Sequence, residues 1–133
     1  MPFDTVDRDN IRQMVYEFYS LVLKDDILGP MFTRVLGSDM DSGKWHEHLY
    51  RLDEFWMLLM GHASSYQGDP TPAHAFIGHL TPESFERWLA LFHGVVYRLF
   101  VTEIADKLYK KAEIVAAQLR ANLGVDDEDD DDW

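Results

Sequence analysis

Residues 81–99, TPESFERWLALFHGVVYRL, contain the clearest helix signal in the chain. The stretch begins with a hydroxyl residue, a proline and an acid, which suit the cap, the first position and the first turn of a helix. Apolar side chains then recur every three or four residues and form one stripe: Phe85, Trp88, Leu89, Phe92, Val96 and Leu99. This spacing predicts an amphipathic helix that packs its stripe against a core.

The same helical period covers most of the rest of the chain. It predicts three more long helices, at about residues 9–24, 44–60 and 102–123. Gly124 suits the end of the last one. Because no stretch shows the alternation of a strand, the sequence predicts an all-α fold.

Glycine and proline mark the predicted interruptions. We expect Gly29-Pro30 to break the first helix and residues 31–36 to form a turn or half-helix. Residues 61–73 are predicted to be a loop, followed by a short helical fragment at about residues 73–77. The acids Asp53, Glu54, Glu83 and Glu86 are expected on solvated helix faces and at caps.

Length and composition fit one globular domain at residues 1–124. The chain has 133 residues, of which 47% are hydrophobic and 14% aromatic, enough for one core with an apolar ligand pocket. Cysteine is absent, which excludes disulfides, thiolate metal sites and cysteine nucleophiles. No secretory signal or membrane-spanning apolar run is visible, so we expect a cytoplasmic protein without a membrane partner.

Charge is concentrated at the carboxyl end. Residues 126–132 hold seven of the 24 acids, and the net charge is -12. Such a run is typical of a disordered acidic tail, here residues 125–133, although it could bind a basic partner. The acidic balance argues against nucleic acid as a partner.

Six histidines invite a metal hypothesis. Ordinary exposure or hydrogen bonding accounts for His46, His62, His79 and His93. On a helix His46 and His48 point in different directions, so they cannot chelate one zinc ion. His74 differs, because it lies in a stretch bounded by proline and glycine.

Three polar-tipped side chains lie on apolar helix faces. Tyr19 follows Phe18 in the first helix, His48 shares a face with Leu52, and Trp88 occupies the stripe of residues 81–99. Each alone is explained by core packing. Together, around one cofactor, they would supply one O–H and two N–H donors to a single cavity.

Over about residues 3–123 the sequence resembles a known family, the group III truncated haemoglobins of the two-over-two globins. The resemblance is carried by six segments in order: Phe18-Tyr19, Leu28-Gly29-Pro30-Met31-Phe32, Trp45-x-x-His48, Phe55-Trp56, Tyr66-x-Gly68-x-Pro70 leading to His74, and Phe85-x-x-Trp88-Leu89-x-Leu91-Phe92.

This resemblance implies a shortened globin in which two helices pack across two others around haem b. His74 would be the proximal iron ligand, and Tyr19 and Trp88 would face the ligand on the distal side. His48 would lie at the distal position and either join this polar group or gate the entrance. Phe32 would pack on the haem face, Leu52 and Phe55 would wall the cavity, and Arg51 is a candidate partner of a haem propionate.

The expected ligands are oxygen, carbon monoxide and nitric oxide. Several hydrogen-bond donors would hold oxygen too tightly for transport, which favours redox chemistry on oxygen, nitric oxide or peroxide. A peroxidase-like or nitric oxide dioxygenase activity of a bacterial-type globin, served by an electron-donating reductase, would fit. The alternatives are a non-enzymatic oxygen sensor or scavenger, and a haem-free helical module that acts through its acidic tail.

Overall fold

The computed structural model describes residues 2–66 and 80–124. These two segments contain five helices: α1 (Arg8–Lys24), α2 (Leu28–Leu36), α3 (Gly43–Leu59), α4 (Pro82–Leu99) and α5 (Thr102–Leu123). The predicted all-α class is confirmed. The predicted helical fragment at residues 73–77, the predicted iron ligand His74 and the acidic tail at residues 125–133 lie outside the described residues.

Side-chain caps explain where the helices start. Asp7 accepts a hydrogen bond from the backbone N–H of Asn10 at 2.8 Å and starts α1. At the start of α4, Thr81 and Ser84 each accept a hydrogen bond from the other's backbone N–H, which is a capping box. The helix start predicted at residues 81–83 is therefore confirmed.

The first helix ends at Lys24, as predicted, but the prediction that Gly29-Pro30 breaks it was wrong. α2 already begins at Leu28, so Gly29 and Pro30 lie inside its first turn. Proline is tolerated there because the first N–H groups of a helix have no partner within the helix. Asp25 makes the corner instead, since its Oδ2 accepts from the backbone N–H groups of Ile27 and Leu28 at 3.0 and 2.9 Å.

The helices are arranged around α1. It packs against α2, α3 and α4, and α4 packs along α5. The face that α1 buries is apolar apart from the Tyr19 hydroxyl: Ile11, Met14, Val15, Phe18, Tyr19 and Val22. Within the two described segments, no helix is long and apolar enough to cross a membrane.

Two acids predicted to be solvated are buried. Asp53 is 4% and Glu54 3% exposed, whereas Glu83 and Glu86 are exposed as predicted. The prediction was wrong for α3 because α1 places Arg12 against Asp53 and Arg8 against Glu54. Helical spacing carries no information about these contacts between distant parts of the chain.

Candidate functional site

Tyr19 lies at the centre of the candidate site. α1 buries its ring, which is 3% exposed, and the Phe32 ring of α2 packs edge-on against it at 5.5 Å. Burial raises the pKa of Tyr19 to about 12, and a hydrogen bond from Trp88 opposes part of that rise. The phenol therefore stays protonated at any physiological pH and remains a hydrogen-bond donor.

Trp88 joins Tyr19 from α4. An indole nitrogen only donates, so the Trp88 N–H donates to the Tyr19 hydroxyl oxygen. The Phe18 ring packs edge-on against the indole, with centroids 5.4 Å apart, and the Phe92 ring stacks on it nearly parallel, with centroids 5.8 Å apart. Because the hydroxyl oxygen accepts from Trp88, its own hydrogen is directed elsewhere and can be donated to another group.

His48 completes the polar group from α3. Its ring centroid lies 5.6 Å from that of Tyr19 and 6.4 Å from that of Phe32. One turn earlier on the same helix, Trp45 is fully buried and packs edge-on against His48 at 5.5 Å. The Trp45 indole N–H donates to the carbonyl of Gly37 at 2.8 Å. Trp45 thus fixes the start of α3 to the end of α2 and directs His48 towards Tyr19.

The structure brings four of the predicted site residues together: Tyr19, Phe32, His48 and Trp88. Leu52 and Phe55 continue α3 beyond His48, and both are only half-buried. The Phe55 ring packs edge-on against Tyr66 at 5.1 Å. These half-buried apolar side chains give α3 a surface that a flat apolar group could cover.

Arg51 does not belong to the cluster formed by Tyr19, Phe32, His48 and Trp88. Its side chain is 67% exposed and forms an ion pair with Glu47 of the same helix at 2.8 Å. The position of His74 relative to the group lies beyond the part of the chain that the structure describes. The roles of Arg51 and His74 stay predictions.

Sequence reasoning did not find the ion pair that flanks the site. Arg87, beside Trp88 on α4, contacts both carboxylate oxygens of Asp25 at the end of α1. The two residues are 62 positions apart, and neither belongs to a motif. Only the packing of α4 on α1 reveals the contact.

Comparisons with known proteins agree with this architecture. The chain is 28% identical over 123 residues to the group 3 truncated haemoglobin ctb of Campylobacter jejuni subsp. jejuni serotype O:2, which covers 92% of this chain and 95% of that protein. The structure of this chain is similar to the crystal structure of a group III truncated haemoglobin from Campylobacter jejuni, with a TM-score of 0.83 and 29% sequence identity. The match covers 92% of this chain and 95% of that one. No protein-family model matches the chain. The two similarities confirm the predicted resemblance and the predicted shortened globin fold.

Proposed function

We propose that this homologue of group III truncated haemoglobins holds haem b through His74 and binds diatomic ligands beside Tyr19, His48 and Trp88. The proposal depends most on one observation, the buried Tyr19 phenol with the rings of Phe32 and His48 packed edge-on against it at 5.5 and 5.6 Å. A group of this kind stabilises a ligand that carries partial negative charge. Such a ligand accepts hydrogen bonds, and burial strengthens them.

The residues present fit a haem group. Aromatic rings and half-buried aliphatic side chains suit the flat apolar faces of a porphyrin. Phe55 lies on α3 together with His48, and Phe32 of α2 packs near His48. Tyr19, His48 and Trp88 provide polar tips beside these apolar side chains. When bound, haem supplies an iron centre that takes diatomic ligands and exchanges electrons.

The donor set favours redox chemistry over transport. A buried hydrogen bond contributes about 1 kcal/mol, and more when the acceptor is charged, so two donors, Tyr19 and His48, slow ligand release at least tenfold. Slow release is a disadvantage for a carrier, but it gives bound oxygen, nitric oxide or peroxide time to react. Repeated turnover would need electrons from outside the chain, so we include an electron-donating reductase as a partner.

Absorption spectroscopy tests this function first. We expect purified protein, reduced and exposed to carbon monoxide, to show an intense haem Soret band that shifts. His74→Ala should abolish or displace the band, whereas His46→Ala, at an exposed position of α3, should leave it unchanged. A spectrum that stays featureless after addition of haemin would contradict haem binding, and an unaltered His74→Ala spectrum would contradict the ligand assignment.

Kinetics then separate redox chemistry from sensing or scavenging. Catalytic consumption of nitric oxide or peroxide by the reduced protein would support the redox role. Stoichiometric binding without turnover, with an electron donor present, would contradict it and leave a ligand sensor or scavenger.

A further inference from the structure

Two ion pairs join α1 to α4, and they differ in burial. At one end, Arg87 Nε donates to Asp25 Oδ1 and Oδ2 at 3.0 Å each, and the Asp25 side chain is 5% exposed. At the other end, Arg98 of α4 pairs with Glu17 of α1, whose side chain is 26% exposed. The same two helices are therefore connected once by a buried carboxylate and once by a more accessible one.

The Asp25 carboxylate accepts hydrogen bonds at both of its oxygens. One oxygen also accepts the backbone N–H groups of Ile27 and Leu28, so the group that contacts Arg87 fixes the corner between α1 and α2 as well. Chiefly because of the hydrogen bond from Arg87, the pKa of Asp25 falls from 3.8 to about 2. A carboxylate with this many donors holds the guanidinium in one orientation.

The Asp25–Arg87 pair is next to Trp88, whose indole packs edge-on against Phe18 of α1 at 5.4 Å. Arg87 precedes Trp88 directly on α4, so any displacement of the helix at Arg87 moves the indole. Asp25 lies six residues beyond Tyr19, or roughly 9 Å along the helix axis. Phe18 also packs edge-on against Tyr19 at 4.9 Å, so a small slide of α4 along α1 changes the position of the indole relative to the phenol.

We propose that the Asp25–Arg87 ion pair is a positioning pair for ligand binding, which holds α4 at the height on α1 where the Trp88 indole packs against Phe18 beside Tyr19. Asp25 and Arg87 act through Trp88 and touch no ligand. The inference rests on the proposed function, because its main consequence is the rate at which a diatomic ligand leaves the pocket.

The test compares Arg87→Met with Arg98→Met in the haem-loaded protein. Both substitutions remove one α1–α4 ion pair, but only the first lies beside Trp88. We expect Arg87→Met to speed oxygen dissociation about fivefold, the effect of one weakened hydrogen bond, and to shift the vibrational band of bound carbon monoxide. Arg98→Met should leave both the rate and the band unchanged.

A double-mutant cycle with Trp88→Phe shows whether Arg87 acts through Trp88. If it does, adding Arg87→Met to Trp88→Phe changes the dissociation rate little further. Full additivity of the two effects would overturn the proposal, as would an unchanged rate in Arg87→Met. Arg87→Lys keeps the charge but loses the two-oxygen contact, and it gives the same test with an intermediate effect if Arg87→Met does not fold.

A haem-free readout separates this proposal from the proposed function. Near-ultraviolet circular dichroism of the apoprotein, with Trp88→Phe as the reference, measures how the Trp88 indole is packed. If no haem binds but Arg87→Met alters this signal and Arg98→Met does not, the proposed function fails and the positioning of Trp88 stands. If haem binds normally and neither this signal nor the carbon monoxide band responds to Arg87→Met, the positioning pair fails alone.

Discussion

Glu54 of α3 accepts two hydrogen bonds from Ser65, one from its backbone N–H at 3.0 Å and one from its hydroxyl at 3.1 Å. The neighbouring Ser64 hydroxyl donates to the backbone carbonyl of Glu54. On its other side the same carboxylate pairs with Arg8 at the start of α1. A single buried acid in the second half of α3 thus binds both the start of α1 and the chain that follows α3.

Removing this acid should destabilise the protein much more than removing an exposed one. We expect Glu54→Ala to lower the free energy of unfolding by about 2–3 kcal/mol, because several donors lose their shared acceptor. Ser65→Ala should cost ~1 kcal/mol. Urea denaturation of the purified variants measures both.

Glu47→Ala is the matched control on the same helix. Glu47 and its partner Arg51 are each 67% exposed, so we expect a loss within about 0.5 kcal/mol. A loss for Glu54→Ala no greater than that for Glu47→Ala would contradict the anchoring role.

Local sequence signals explain the parts of the fold that were predictable. The start of α4 follows from a hydroxyl, a proline and an acid in consecutive positions, and each acts within the same turn of chain. Gly124 ends α5 in the left-handed conformation, with a φ of 69°, which glycine adopts without strain. The grouping of Tyr19, His48 and Trp88 was also predicted, but from the family resemblance and not from their spacing.

Contacts between distant segments explain what was missed. Glu54 follows the pattern of an exposed helical acid until residues 64–65 and Arg8 are brought against it. Asp25 resembles a simple cap until Arg87 of α4 reaches it. Helical periodicity states which face of one helix is apolar, but it does not state which polar groups another segment will cover.

Gly29 should tolerate no side chain. A Cβ at this position of α2 would lie 2.5 Å from the backbone oxygen of Leu23. The backbone of α1 cannot move away from such a contact without a large cost in free energy. We expect Gly29→Ala to lower the free energy of unfolding by about 2 kcal/mol or more, measured by urea denaturation. Gly94→Ala in α4 meets nothing within 4 Å and should instead stabilise by about 0.5–1 kcal/mol. Equal effects of the two substitutions would contradict the steric argument.

Asp25 should make stability sensitive to acid. Its pKa is lowered from 3.8 to about 2, so the folded state binds this proton more weakly than the unfolded state does. The stabilisation is complete above about pH 4 and is lost as the pH falls towards 2. We therefore expect Asp25→Asn to be less stable than the parent at pH 7, with a gap that narrows through this window. A gap independent of pH would show that the charge of Asp25 does not stabilise the fold.

Asp53 should show the opposite sign. Burial raises the pKa of Asp53 above 3.8 despite Arg12, whose nearest nitrogen is 3.5 Å away, and Oδ1 has no hydrogen-bond partner among the described residues. The folded state therefore binds this proton more tightly than the unfolded state, and the ionised side chain costs stability at neutral pH. We expect Asp53→Asn to equal or exceed the parent in stability at pH 7. This advantage should shrink as the pH falls through the raised pKa towards 3.8, and urea denaturation between pH 7 and 4 would record it. Marked destabilisation by Asp53→Asn at pH 7 would contradict this expectation.

Tyr19→Phe tests the centre of the proposed ligand site. The substitution removes only the hydroxyl, whose oxygen accepts from Trp88 and whose hydrogen is the one that a ligand would receive. A buried hydrogen bond of about 1–3 kcal/mol corresponds to roughly fivefold to hundredfold faster oxygen dissociation, measurable by stopped-flow absorbance of the haem-loaded protein. Tyr16→Phe is the control, since Tyr16 lies on the same helix but is 48% exposed, and its rate should equal that of the parent. If Tyr19→Phe also releases oxygen at the parent rate while haem is bound, Tyr19 donates no hydrogen bond to the ligand, and the stabilising donor must be sought at His48.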